Sequence, residues 1–162
     1  LLPLVLPSPS LPVCSPYDAC SARLTTFALE EEGSGWEGSG QSPPLYDELM
    51  PAPHLDYSQS LDTTDHSLCR CDDNSTCSLD DDERNIRLDN AVQLAFCRPF
   101  SEKQECRSRR GLIRVVGESL STHIDSPASI TKAIVFCRCS TGYKRAPAEV
   151  WESSSLSFPY KC

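Results

Sequence analysis

Eight cysteines fall within the last 94 of 162 residues: Cys69, Cys71, Cys77, Cys97, Cys106, Cys137, Cys139 and Cys162. Two more, Cys14 and Cys20, precede them. A domain of that size has a thin apolar core, and each disulfide adds roughly 2–4 kcal/mol to it. The eight can pair in about a hundred ways, among which spacing does not choose. Disulfides persist only in an oxidising compartment, so the framework points to secretion. Cys14 and Cys20 are expected to close a short local loop, or Cys14 to leave with a signal peptide. The competing use of the thiols is a zinc site built from Cys69, Cys71, Cys137 and Cys139. Structural zinc favours two to four residues between paired cysteines, and no histidine stands at a matching spacing. Disulfides are therefore expected at all ten, with no metal and no cofactor.

Charge divides the chain in two. Residues 1–68 hold ten acids against one base, Arg23, and nine of the 13 prolines. Residues 69–162 hold 13 acids and 14 bases. The acidic Pro/Gly/Ser-rich part has too little apolar surface to offset chain entropy, so 14–68 is expected to be disordered and 69–162 to be the folded domain. The opening Leu1–Leu6 run, broken by Pro3, reads as the remnant of a signal peptide over 1–13. No run of 18 apolar residues is present, so no spanning helix is expected. A net charge of −8 argues against nucleic-acid binding.

Short β-like runs lie between the cysteines: Ala91–Phe96, Leu112–Val116, and Ile130–Phe136 with Ile130, Ile134 and Phe136 placed on one face. No sustained helical period appears. The expected fold is small, all-β and disulfide-rich, a short antiparallel sheet with long loops at 78–90 and 117–129. Asp80–Glu83 reads as a solvated loop tip, because the glycine and spacing of an EF-hand are missing.

Several segments carry modification signals. Asn74-Ser75-Thr76 is an N-glycosylation sequon. In Glu30–Gly40, two Ser-Gly pairs at Ser34 and Ser39 lie among acids beside Trp36, and the stretch resembles glycosaminoglycan attachment sites of proteoglycan cores. Tyr46 and Tyr57 stand beside acids, as sulfated tyrosines do. Arg107-Ser108-Arg109-Arg110 fits a furin-type processing site ending at Arg110, or an exposed basic turn that could hold an anionic polysaccharide.

No catalytic constellation is present. The three histidines (His54, His66, His123) have no zincin or nucleophile-elbow partner, and the glycine-rich stretch is too acidic to cradle phosphate. The chain is expected to be a non-enzyme.

The order Cys69-x-Cys71-x5-Cys77, Phe96-Cys97, Cys106-x4-Gly111 and Phe136-Cys137-x-Cys139-x2-Gly142-Tyr143 resembles the cysteine-rich β-sheet modules of arthropod secreted proteins, of the Argos (giant-lens) and centipede scoloptoxin types. The resemblance implies a rigid sheet that binds another extracellular protein, with a single module in this chain. Cys137-x-Cys139-x2-Gly142-Tyr143 also resembles the end of an EGF-like module, although 22 residues to Cys162 exceed the usual final loop. The function expected is a secreted binding protein engaging a growth factor, receptor or channel. Its surface is expected around Phe96, Phe100, Arg107, Arg109, Arg110, Arg114, Tyr143, Lys144 and Arg145, which supply the aromatics and arginines favoured at interface anchors. The alternative is a small matrix proteoglycan whose function lies in glycan at Ser34 or Ser39.

Overall fold

The protein is all-β, and nine strands lie among the described residues. The computed structural model describes residues 10–29, 55–72, 75–107, 113–120, 126–152 and 154–162, with 28–29 and 55–61 described as backbone alone. The strands are β1 (Ser21–Leu29), β2 (Leu55–Ser67), β3 (Asn85–Arg87), β4 (Val92–Ala95), β5 (Ile113–Gly117), β6 (Lys132–Val135), β7 (Lys144–Arg145), β8 (Glu149–Glu152) and β9 (Ser155–Lys161). They make two antiparallel sheets, one in the order β2-β1-β4-β3, the other β6-β5-β9-β7 with β8 also pairing β9.

The disulfides are Cys14–Cys69, Cys20–Cys77, Cys71–Cys97, Cys106–Cys137 and Cys139–Cys162. Cys14 and Cys20 therefore do not pair with each other. They cross the boundary expected at residue 68 and tie the acidic part to the cysteine-dense part. That part also supplies β1 and β2, against the expected disorder over 14–68. The apolar face of β1 is small, Ala22 and Leu24, yet both are fully buried because the second sheet packs over them. The four thiols considered for zinc each bond a different cysteine.

The two sheets are wired alike, so the chain holds two modules rather than one. In each, a cysteine precedes a hairpin, a Cys-x-Cys follows it, and a final cysteine follows the last strand of the sheet, β4 in one and β9 in the other. The first Cys of each Cys-x-Cys bonds back to the leading cysteine and the second bonds forward to the last. The local contacts repeat as well. Cys14 N donates to Arg70 O (2.8 Å) and Arg70 N to Pro12 O (2.9 Å); Cys106 N donates to Arg138 O (2.9 Å) and Arg138 N to Gln104 O (2.9 Å). Arg70 Nε donates to Leu11 O at 3.3 Å, as Arg138 Nε does to Lys103 O at 2.8 Å. The Cys20–Cys77 bridge has no counterpart among the disulfides.

Register fixes the correspondence of strands. Ser21 pairs Ser67 and Ala95, each two residues before a cysteine; Ile113 pairs Val135 and Tyr160, again two before a cysteine. Ser21 thus corresponds to Ile113, and Ala22 to Arg114. The first sheet turns Ala22, Leu24, Val92 and Leu94 into the shared core, and the second turns in Ile113, Val115, Ala133, Val135, Phe158 and Tyr160. Corresponding positions therefore face opposite ways: the sheets pack front against back, not by a two-fold axis.

The expected strand around Ile130–Phe136 exists, but its alternation is inverted. Ala133, Val135 and Cys137 point inward, while Phe136 is 47% exposed. Ile130 is buried from the loop before the strand.

Candidate partner-binding surface

The chain entering β1 runs along the free edge of β6, joining the modules by strand pairing. Ala19 N donates to Ala133 O (3.0 Å) and Val135 N to Tyr17 O (2.8 Å), around the antiparallel pair Asp18 and Ile134. This docking sets the Tyr17 ring against Phe136 from the following turn, with ring centres 5.0 Å apart. Tyr17 keeps 49% of its surface exposed, so the pair forms a two-ring apolar platform on the outside.

Lys103 comes to the platform from the second module. Its ammonium donates to Pro16 O at 3.0 Å and stands 5.1 Å from the Phe96 ring centre and 6.0 Å from that of Tyr17. Burial lowers its pKa, and the Asp18 carboxylate partly opposes that shift. Beside it opens a cleft of about 440 Å³ walled by Pro16, Asp18, Phe96, Pro99, Glu102 and Lys103. Two exposed rings, a partly desolvated cation and a cleft are the ingredients of an interface anchor, where aromatic area is buried at little conformational cost. The site is assembled from both modules and exists only while their junction is intact.

The residues expected to bind divide differently. Phe96 is buried at 3% exposure and forms the cleft floor; Phe100 and Tyr143 pack against the core. Arg145 lies in the junction, where its guanidinium pairs with Asp89 (2.5 Å) and donates to the Tyr160 hydroxyl (3.0 Å); Tyr160 in turn donates to Asp89 at 2.7 Å. Arg114 donates to Glu149 (2.9 Å) and Ser157 Oγ (3.1 Å), with its guanidinium 5.8 Å from the Trp151 ring centre. Phe96 and Arg145 are thus framework residues, because their sheet positions face the module junction. Arg107 and Lys144 are exposed. Arg109, Arg110, Asn74, Ser34 and Ser39 lie outside the described residues, as do Tyr46 and His54. In the acidic turn, Asp80 and Asp81 direct their carboxylates to Arg23 and Arg84. His66, the one histidine described, bonds Thr64 Oγ1 at 3.2 Å.

Sequence reasoning missed Tyr17 because it stands in the acidic part, and missed Phe136 because alternation was read in the wrong phase. Cys137 carried the usable signal. A bridged cysteine points inward, so the residue beside it in an extended segment points out.

No protein-family model matches the chain, and no curated protein matches it in sequence. Among solved structures the chain is similar to that described as the crystal structure of unliganded Argos. The two are 21% identical with a TM-score of 0.49, over 94% of this chain and 57% of that one. This chain therefore spans little more than half the length of that neighbour.

Proposed function

We propose that the protein is a secreted, non-enzymatic binding protein that engages an extracellular protein partner through the Tyr17–Phe136 platform and the cleft beside Lys103. The observation that carries this reading is the exposed ring pair held rigid at the junction of two disulfide-bonded sheets. Apolar rings that burial does not use within the chain are anchors for another surface. Five bridges, which need an oxidising compartment to form, support secretion. A growth factor, a receptor or a channel is the partner class, since each offers a rigid extracellular face.

The experiment is a binding screen of the secreted chain against immobilised EGF-like growth-factor modules and receptor ectodomains, with channel currents recorded in parallel. A specific partner should be lost on Tyr17→Ala/Phe136→Ala, each anchor contributing about 2 kcal/mol, or roughly 30-fold in affinity. Binding that survives the double variant removes this surface from the reading. The proteoglycan alternative predicts a broad gel band that sharpens with glycosaminoglycan lyase; a sharp, lyase-insensitive band at the mass of peptide plus N-glycan excludes it.

A further inference from the structure

Beside the ring platform, one row of the second sheet carries positive charge that the chain does not neutralise. Ile113 pairs with Val135 on one side and Tyr160 on the other, and all three face the core. Strand alternation turns the next residues, Phe136 and Lys161, to the outer face in one row. Both are exposed, Phe136 at 47%. Lys144 stands directly opposite Lys161, while its neighbour Arg145 pairs with Tyr160 and turns into the module junction. Strand β5 lies between the Phe136 and Lys161 positions, which puts them about 10 Å apart, with Lys144 about 5 Å further on.

The arginines of this module are matched by acids. Arg114 meets Glu149, Arg138 meets Glu105 and Arg145 meets Asp89. Lys144 and Lys161 are both exposed, and among the described residues neither has a carboxylate at ion-pair distance. Like charges directly opposite each other on paired strands repel and weaken the sheet. Acids are not scarce, since the chain has 23 against 15 bases. Yet the exposed acids of this sheet stand at its other end. Glu149 and Lys132 belong to the row of Val116 and Ser157, and Glu152 lies beyond it. The lysine pair is therefore a local positive spot, and an anion from outside the chain would relieve its repulsion.

We infer that the protein partner contributes an acidic segment, which lays an apolar side chain on the Tyr17–Phe136 rings and sets carboxylates between Lys144 and Lys161. The position beside the rings rests on the platform proposed above; the lysine pair as a carboxylate site does not. An extended chain rises about 3.3 Å per residue, so about three residues separate the apolar side chain from the first acid. A sulfated polysaccharide fits this row less well. It repeats its charge along its length, and running on past the lysines and rings it would meet Asp18 and Glu102, which wall the cleft. Two cations beside two rings instead suit a peptide that changes character from apolar to acidic within a few residues.

The probe is a labelled synthetic peptide, Leu-Ser-Ser-Glu-Glu between glycines, with a Gln-Gln version as control; anisotropy and amide shifts of the whole secreted chain report binding. The acidic peptide should bind about tenfold tighter than the control and shift Lys144, Lys161 and Phe136. Its advantage should shrink between about 50 mM and about 500 mM salt, as screening shortens. K144E/K161E should abolish that advantage. K144E alone should raise the thermal midpoint while weakening the peptide, because Lys161 then faces an opposite charge. A lysine with a purely structural role would not separate stability from binding in this way. No preference for the acidic peptide at about 2 mM overturns the inference, as does a preference that K144E/K161E leaves intact or a midpoint that falls with K144E. Tighter, lysine-dependent binding of a heparin octasaccharide also overturns it, making the occupant a sulfated polysaccharide. The two readings fail separately. Binding lost on Tyr17→Ala/Phe136→Ala but untouched by K144E/K161E keeps the platform and removes the acidic segment. Binding lost on K144E/K161E but untouched by Tyr17→Ala/Phe136→Ala keeps the lysine pair as the carboxylate site and removes the platform.

Discussion

At the residue scale, Asp89, Arg145 and Tyr160 fasten the two modules. Asp89 lies in the turn between β3 and β4, where its other oxygen accepts from Ala91 N and Val92 N, both at 2.9 Å. Arg145 and Tyr160 belong to β7 and β9. Tyr160 is fully buried and its hydroxyl needs a partner, which Asp89 supplies. Asp89→Ala takes the carboxylate away from the Arg145 guanidinium and the Tyr160 hydroxyl and from two backbone N–H groups; the expected cost is about 3 kcal/mol by urea unfolding. Tyr160→Phe removes one hydroxyl and leaves the ion pair, costing about 1–2 kcal/mol. Burial, with the nearby Asp89 charge second, raises the Tyr160 pKa above the ordinary value of 10.0. The folded state thus holds this proton more tightly than the unfolded chain. Its contribution is fully present below about pH 10 and is lost as pH rises toward the folded value. Wild type should therefore lose stability steeply above pH 10, and Tyr160→Phe should flatten that limb; parallel limbs would place the alkaline sensitivity elsewhere.

At the element scale, the close approach of backbones is set at Gly117, where β5 ends. A Cβ there would stand 1.8 Å from Ser129 O, so the loop and strand cannot keep their spacing. Thr131 N donates to Val116 O at 2.8 Å and holds that loop against the strand. Gly117→Ala should cost about 2–4 kcal/mol, seen as a lowered thermal midpoint, because the obstacle is backbone that no rotamer change relieves. Strand cores were legible in the sequence where apolar residues are consecutive: Ala91–Phe96 contains β4 and Leu112–Val116 overlaps β5. Phase was not legible for β6, because Ile130, Ile134 and Phe136 alternate as well on paper as Ala133 and Val135 do in the fold. The partner that decides between them, the arm before β1, lies over a hundred residues earlier. β2 was illegible for a plainer reason. It is an edge strand rich in Asp, Ser and Thr, in which Leu55, Tyr57 and Leu61 are too few and too interrupted by polar residues to announce an apolar face. β8 is hidden likewise: all four of its residues are exposed, Val150 at 81%.

At the scale of the whole molecule, cysteine count showed a disulfide framework but not its wiring, and charge drew a boundary at residue 68 that two disulfides cross. Negative charge in 1–68 says little about order when two cysteines anchor that segment from outside. The Cys14–Cys69 and Cys20–Cys77 bridges close loops of 55 and 57 residues, for which chain entropy alone gives about 4 kcal/mol each. The segment they hold contributes Ala19, Ala22 and Leu24 to the core and the Tyr17–Ala19 arm to the edge of β6. A fragment of residues 69–162 would lack all of these. Cys69 and Cys77 would lose their partners, β4 would lose the neighbour between itself and β2, and the inward faces of β5, β6 and β9 would be partly uncovered. Such a fragment should secrete poorly, give scrambled bridges on mass mapping, and unfold without a cooperative transition. The chain from residue 10 onward should show the five native bridges and one transition, because its two sheets share one core and cannot open separately. A 69–162 fragment that formed its native Cys71–Cys97, Cys106–Cys137 and Cys139–Cys162 bridges and melted cooperatively would instead make the second half an independent domain. The junction that holds Tyr17 against Phe136 would then be a docked contact rather than a shared core.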